Sequence, residues 1–409
     1  MQPWYELPSH RLWLQQQSVD LLDFGRNVVR SGGGASVLSD DGQPLVDQPV
    51  FTWITCRMVH VYSIGTLLGI PGSKPVAQGA LAGLTGILKD EAAGGWFSSV
   101  AADGTPEADK SAYAHAFVLL AGTSATRAGL EGGRELLDAA IEVFEKYFWD
   151  EAAGKLIDTW STDFSTPDPY RGINANMHGV EAMLTVADVT GDDKWLLRAQ
   201  RVVDFVIEQA KAHNWQIPEH YDVNWNAELE YNDDQRDDQF KPYGVTIGHS
   251  LEWARLMLHL EASLDALSLP HGDYLGAATA LFQAAVDKGW DVDGEPGFVY
   301  TTDWEGKPVV RGRMHWVAAE GIGAAAALWE RTREQQYADA YQLWWDYVDT
   351  HLIDHKLGSW FHELDEKNVP AALVWPGKPD LYHAFQATLI PRLPLTPSLA
   401  SAVAEGKLR

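Results

Sequence analysis

The amino-acid sequence predicts an all-α fold, an (α/α)6 barrel in which six outer helices enclose six inner ones. Three observations lead there. A turn mark recurs along the chain, amphipathic helices alternate with helices that are apolar on most sides, and one polar residue recurs near the start of each apolar helix.

The mark is an apolar residue and Asp at a helix end, followed within a few residues by Gly and a short apolar run. It appears as Leu88-Lys89-Asp90 then Gly95-Trp96-Phe97, and as Tyr147-Phe148-Trp149-Asp150 then Gly154-Lys155-Leu156-Ile157. Gly289-Trp290-Asp291 then Gly297-Phe298-Val299-Tyr300, and Leu352-Ile353-Asp354 then Gly358-Ser359-Trp360-Phe361, repeat it. The aspartates lie roughly 60 to 70 residues apart, or about twice that where a copy is degenerate, which leaves room for two helices and their connections. The repeating unit is a helical hairpin.

Outer helices are expected near residues 9–30, 75–89, 134–149, 194–211, 273–288 and 335–352. Within 134–149, Leu136, Leu137, Ala140, Ile141, Phe144 and Phe148 fall at i, i+3, i+4 spacing, with Arg134, Asp138, Glu142 and Glu145 opposite, so one face is wet. Inner helices are expected to start near 51, 112, 174, 247, 313 and 381. Stretches such as Val180 to Val189, Leu251 to Leu260 and Gly321 to Trp329 are apolar or Ala/Gly-rich on most sides, the composition of a helix surrounded by protein. Gly69-Ile70-Pro71-Gly72 and Thr190-Gly191-Asp192 are stop signals. The first outer helix has no inner partner before it and the last inner helix has no outer partner after it. The two ends complete one another, which favours a closed barrel over an open solenoid. Residues 1–409 therefore read as one barrel domain, with a Gly/Ser turn at Ser31 to Ser36 and a loose tail from about 395.

Composition narrows the function. Thirty-one Lys and Arg against 57 Asp and Glu give a net charge of −26, which repels nucleic acid and anionic lipid. Neither is an expected partner. The single cysteine, Cys56, excludes an internal disulfide and a thiolate zinc cage and fits a reducing cytoplasm. The first ten residues lack a basic start followed by an apolar stretch, and nowhere do about 18 apolar residues run uninterrupted, so a cytoplasmic location is expected. Most of the 18 tryptophans belong to the core, although their flat faces also suit the C–H faces of sugar rings.

The chemistry is expected at the starts of the inner helices. Arg57, His115, His178, His249, His315 and His383 follow one another at intervals of 58, 63, 71, 66 and 68 residues, which would set them at equivalent heights around one mouth. A single such histidine is ordinarily a satisfied core residue, but six in phase describe a site. In His178-Gly179-Val180-Glu181 and His249-Ser250-Leu251-Glu252 a carboxylate follows one turn later on the same face, and Glu320 follows His315 at a longer step. Such pairs fix an imidazole tautomer for acid–base work or hold a metal. Metal is disfavoured because the order differs from His-Glu-x-x-His and no carboxylate-rich cage accompanies it. Arg57, Arg236 and Lys241 are cations near the predicted mouth, although Arg236 sits in a charge run with Asp233, Asp234, Asp237 and Asp238. The Pro/Gly loop from Trp375 to Asp380 delivers His383 to a helix start.

Several strings carry a family resemblance: Thr52-Trp53-Ile54-Thr55-Cys56-Arg57-Met58, Asn174-Ala175-Asn176-Met177-His178, Gly248-His249-Ser250-Leu251-Glu252-Trp253, Gly358-Ser359-Trp360-Phe361-His362 and Lys378-Pro379-Asp380-Leu381-Tyr382-His383. Together, over nearly the whole chain, they resemble the N-acylglucosamine 2-epimerase superfamily, and within it the aldose-ketose isomerase branch that includes mannose and sulfoquinovose isomerases. The resemblance implies an (α/α)6 barrel and proton transfer through a cis-enediol on a monosaccharide, with neither metal nor cofactor. It makes His249 and His383 the acid/base pair, His178 the helper in ring opening and Arg57 a ligand to substrate oxygen. Asn174, Glu252, Glu320 and Trp316 become pocket residues, and Tyr113, His115 and Arg236 complete the expected substrate-binding set. Mannose–fructose interconversion is the expected reaction. The competing readings are a sulfoquinovose isomerase, a 2-epimerase, a glycoside hydrolase or lyase on the same barrel type, and a non-catalytic sugar-binding protein.

Overall fold

The computed structural model describes residues 2–107 and 109–409. Twelve helices alternate as outer and inner members of six hairpins. The outer ones are α1 (Pro8–Phe24), α3 (Ser73–Leu84), α5 (Gly133–Val143), α7 (Lys194–Ala212), α9 (Tyr274–Gly289) and α11 (Gln335–Tyr347). The inner ones are α2 (Thr52–Leu67), α4 (Ala112–Arg127), α6 (Ile173–Thr190), α8 (Ile247–Ala266), α10 (His315–Thr332) and α12 (Tyr382–Leu389). Both α5 and α11 widen into a single π turn, Phe144–Phe148 and Val348–Leu352, before their Asp–Gly mark. No helix among the described residues is long and apolar enough to cross a membrane.

The mark has a physical cause. Asp90 Oδ1 accepts from the backbone N–H groups of Ala92 and Ala93, Asp150 Oδ1 from those of Ala152 and Ala153, and Asp354 Oδ1 from those of Lys356 and Leu357. Each carboxylate caps the tight turn that reverses the chain after an outer helix. Gly358, at φ +91°, supplies the left-handed residue that closes one of these turns. Lys110 and Lys378, fully buried, reach Asp90 and Asp354 at 2.7 Å and tie the turn to the next rim segment.

Each reversal feeds a short rim strand. Val50–Phe51, Asp109–Ser111, Arg171–Gly172, Val245–Thr246 and Arg313–Met314 each lead straight into an inner helix. They pair antiparallel with Ser99–Val100, Thr159–Ser161, His220–Tyr221, Thr301–Thr302 and Glu363–Leu364. The residue preceding each partner strand accepts the first N–H of the inner helix: Thr52 to Ser98 (3.0 Å), Ala112 to Asp158 (2.7 Å), Ile173 to Glu219 (3.0 Å), Ile247 to Tyr300 (3.2 Å) and His315 to His362 (3.0 Å). A helix N-terminus has donors with no partner inside the helix, so this contact both satisfies one and fixes where the helix begins.

The barrel closes. Helix α12 packs between α10 and α2 and against α1, Ser18 Oγ meets Thr388 Oγ1 at 2.7 Å, and Lys378 N–H donates to Leu38 O across the seam. One apolar core runs from Tyr5 to Val403. The tail departs from expectation: instead of being loose, Leu399–Ala404 is a helix, α13, seated on α2 and α4 with Ala400, Ala402 and Val403 buried. Its Ser401 hydroxyl bonds Asp188, and Arg409 meets Glu330 at 2.7 Å. Three small apolar side chains can supply the contact, which is why no long hydrophobic run announces it. Truncation after Leu393 should cost about 2–4 kcal/mol of stability from lost apolar burial; thermal melts of the truncated and full chains check this, and identical melting temperatures would return the segment to a loose tail.

Candidate active site

Because every inner helix begins at an equivalent rim contact, positions along them form layers. The second residues are Trp53, Tyr113, Asn174, Gly248, Trp316 and His383, and the sixth are Arg57, Phe117, His178, Glu252, Glu320 and Ala387. The expectation of a single ring is thereby corrected. Arg57 and His178 lie about one turn deeper than His249, His315 and His383, because loops of unequal length shift the helix starts relative to the sequence intervals.

A cavity with about 520 Å³ of empty space, open solvent at its mouth included, sits over these layers. Arg57, Tyr113, Asn174, His178, His249, Glu252, Trp316 and His383 all line it. Glu320 lies behind, holding His383. His115 and Arg236 are elsewhere. His115 is the fourth residue of α4 and turns toward the outer layer, where Nδ1 donates to Ser111 O at 2.7 Å and Nε2 accepts from Trp96 N–H at 3.1 Å. Arg236 is on the surface in an ion pair with Asp233, so the charge run had the stronger claim on it.

Two imidazoles face the cavity in matched settings. His249 Nδ1 meets Glu219 Oε2 at 2.9 Å and His383 Nδ1 meets Glu320 Oε1 at 3.2 Å, so each donates Nδ1–H to a carboxylate and presents Nε2 to the cavity. The Trp316 ring lies near both, 5.2 Å from His249 and 5.8 Å from His383. Burial and Arg57 push the His383 imidazole well below its usual range, so it is neutral at physiological pH.

The floor is a buried charge network. Arg255 joins Glu320 at 2.8 Å and Glu252 at 3.5 Å. Burial and the neighbouring Glu320 push Glu252 well above the carboxylate range. For Glu181 burial is outweighed by His178, Arg255 and the Tyr382 hydroxyl, which donates to it at 2.5 Å, so its carboxyl titrates below the usual range. Ligand atoms of His178, Glu181 and Glu252 fall within 4.8 Å of one another, more carboxylate than the sequence spacing suggested. Glu181 is engaged by the Tyr382 hydroxyl and by Gln386 Nε2, so the group forms a hydrogen-bonded floor under the cavity.

Arg57 lies among the rings of Trp53, Phe117 and Tyr382, bonds Asp380 and Tyr113 at 3.0 Å each, and keeps its charge despite burial. Polar atoms remain unspent around the cavity: Asn174 Oδ1, His315 Nε2, Arg57 Nε and Trp375 Nε1 have no partner. Each costs about 1–3 kcal/mol while unsatisfied. Phe240 and Trp375, 5.6 Å apart, meet at the mouth, and Gln239 Nε2 donates to Val374 O there.

Sequence reasoning missed Glu219, Tyr300, His362, Asp380 and Arg255. The first three had a signal. The residue closing each Gly–apolar mark recurs as Ser98, Asp158, Tyr300 and His362, and Glu219 takes the same place after the degenerate copy at Trp215-Gln216-Ile217-Pro218.

An (α/α)6 barrel with two carboxylate-held imidazoles beside one small polar cavity has the layout of a sugar enzyme that works by acid–base chemistry. The N-acylglucosamine 2-epimerase (GlcNAc 2-epimerase) family model matches residues 33–387, and the chain belongs to that family. It is 47% identical over 404 residues to a D-mannose isomerase of Thermobifida fusca, covering 98% of each chain. It is 46% identical to a D-mannose isomerase of Pseudomonas cannabina pv. alisalensis, covering 98% of this chain and 97% of that one. A crystal structure of a D-mannose isomerase superposes with a TM-score of 0.87 at 26% identity, over 94% of this chain and 99% of that chain.

Gly248 explains how Trp316 enters the site. A Cβ at 248 would stand 2.3 Å from the Trp316 ring, an overlap no rotamer shift of a methyl relieves. Alanine normally favours a helix over glycine by about 1 kcal/mol. Here Gly248→Ala should instead destabilise by about 1–3 kcal/mol through overpacking and displace the indole; denaturant unfolding and near-UV circular dichroism read both effects, and a stabilised variant would contradict the packing.

Proposed function

We propose that this protein is an aldose-ketose isomerase interconverting D-mannose and D-fructose through a cis-enediol. The observation that carries the reading is the pair of imidazoles with Nε2 in one cavity, one of them a neutral base, in a chain 46–47% identical to D-mannose isomerases.

In the proposed sequence His178 assists ring opening and Arg57 binds a substrate oxygen. His383 Nε2 takes the C2 proton while His249 gives a proton to O1, which yields the enediol. His249 then recovers the O2 proton as His383 returns its own to C1. Proton transfer of this kind by positioned side chains contributes about 10²–10⁴-fold each. Asn174, Glu252, Trp316 and Tyr113 shape the pocket, and Glu320 acts through His383. His115 and Arg236 have no part in this proposal.

A neutral hexose fits the charge of the site better than a sulfonated one. Among the described residues, Arg57 is the sole Lys or Arg lining the cavity, and its charge is taken by Asp380. Lys241 lies over the Tyr170 ring in the adjoining groove.

Chelator-treated protein incubated with mannose should form fructose at the rate of untreated protein, and His383→Ala should lower that rate by at least about 10²-fold with helicity intact. Loss of turnover on chelation, restored by a divalent metal, would move the chemistry to the His178–Glu181–Glu252 group.

A further inference from the structure

We propose that Glu219 is a positioning residue for His249, holding the imidazole by Nδ1 so that Nε2 faces the reacting oxygens and balancing the positive charge the ring carries during proton transfer. The catalytic meaning rests on the isomerase reading; the pairing itself is readable without turnover.

The carboxylate is built in. Glu219 is 4% exposed, and its own carbonyl accepts the first N–H of α6, so the side chain projects from a rim segment anchored to an inner helix. Oε2 lies 2.9 Å from His249 Nδ1, and Oε1 has no partner. Neither the Gly248–Trp253 string nor the spacing of the histidines includes this residue, because it comes from the preceding repeat.

The two histidines share a geometry but differ in charge. Glu320, behind His383, is in an ion pair with Arg255, so its charge is already balanced. No Lys or Arg pairs with Glu219 among the described residues. The other groups around His249 are the Trp316 ring and the imidazoles of His178 and His220, both shifted toward neutrality by burial. His383 faces Arg57, His315, His362, Asp380 and His178. Glu219 thus offers the His249 ring a carboxylate that no cation shares, whereas the one behind His383 is already held by Arg255. This divides the labour: His249 carries protons to and from oxygen, and His383 works as the neutral base at carbon.

Glu219→Gln keeps a hydrogen-bond acceptor and removes the charge. In the full-length protein, nitrogen-15 NMR of the imidazoles should show His249 protonated on Nδ1, with a downfield N–H signal identified by its loss in His249→Gln, and that signal should move upfield or vanish in Glu219→Gln. With mannose, Glu219→Gln should lower kcat by about 10²–10⁴-fold while KM changes less than about threefold, and Glu219→Asp should recover part of the loss. A folded Glu219→Gln protein with wild-type kcat, or a wild-type spectrum with His249 protonated on Nε2 alone, overturns the proposal. The spectrum needs only the wild type and His249→Gln, so it decides even if Glu219→Gln does not fold. Absence of fructose with the predicted NMR signature intact would instead count against the mannose reading.

Discussion

The structure depends on one recurring hydrogen bond: the first N–H of an inner helix donated to the carbonyl that ends the apolar run after the outer helix following it. Five inner helices begin this way. In the sixth repeat the side chain of Asp380 takes over, accepting from Tyr382 N–H at 2.9 Å while it also holds Arg57. Once the starts are fixed, four of the second residues, Tyr113, Asn174, Trp316 and His383, and three of the sixth, Arg57, His178 and Glu252, reach the cavity. The catalytic geometry proposed here is a consequence of that registration, which is why side chains from α2, α6, α8, α10 and α12 converge without any one loop gathering them.

The same registration explains how charge is buried at tolerable cost. Glu320, Arg255, Glu252, Glu181 and His178 lie under the cavity, and an ion removed from water there costs several kcal/mol unless its partners are in place. The network pairs Arg255 with Glu320, pushes the Glu252 carboxyl above its usual range, and gives Glu181 two donors. Its outward face is the two histidines. One carboxylate behind them is balanced by Arg255 and the other is not, and in the proposed mechanism this difference, two residues removed from the cavity, separates the tasks of two chemically identical groups.

Much of this was legible in the sequence, and the exceptions have causes. The starts of the inner helices were read to within about two residues, since a helix buried on all sides leaves a long apolar run bounded by turn signals. The first two outer helices were read too long, to 30 and 89 instead of Phe24 and Leu84, because Val28, Val29, Ile87 and Leu88 continue the apolar pattern into the turns that follow. Rim strands of two or three residues are too short to show a period of two, so the ring they carry stayed hidden, Glu219 with it. His115 shared the interval of the site histidines but stands on another face of its helix, and spacing along the chain does not resolve rotation. The short apolar content of α13 concealed a packed tail.

The central claim is that one base moves the carbon proton on one face of the sugar. Mannose incubated with the protein in deuterium oxide, with product and recovered substrate read by NMR, tests it most directly. The account predicts that deuterium taken up by exchange at His383 stands at a single C1 position of fructose and at C2 of recovered mannose, and that no glucose forms. Glucose carrying deuterium at C2 would mean that a second base reprotonates the opposite face, and would contradict it.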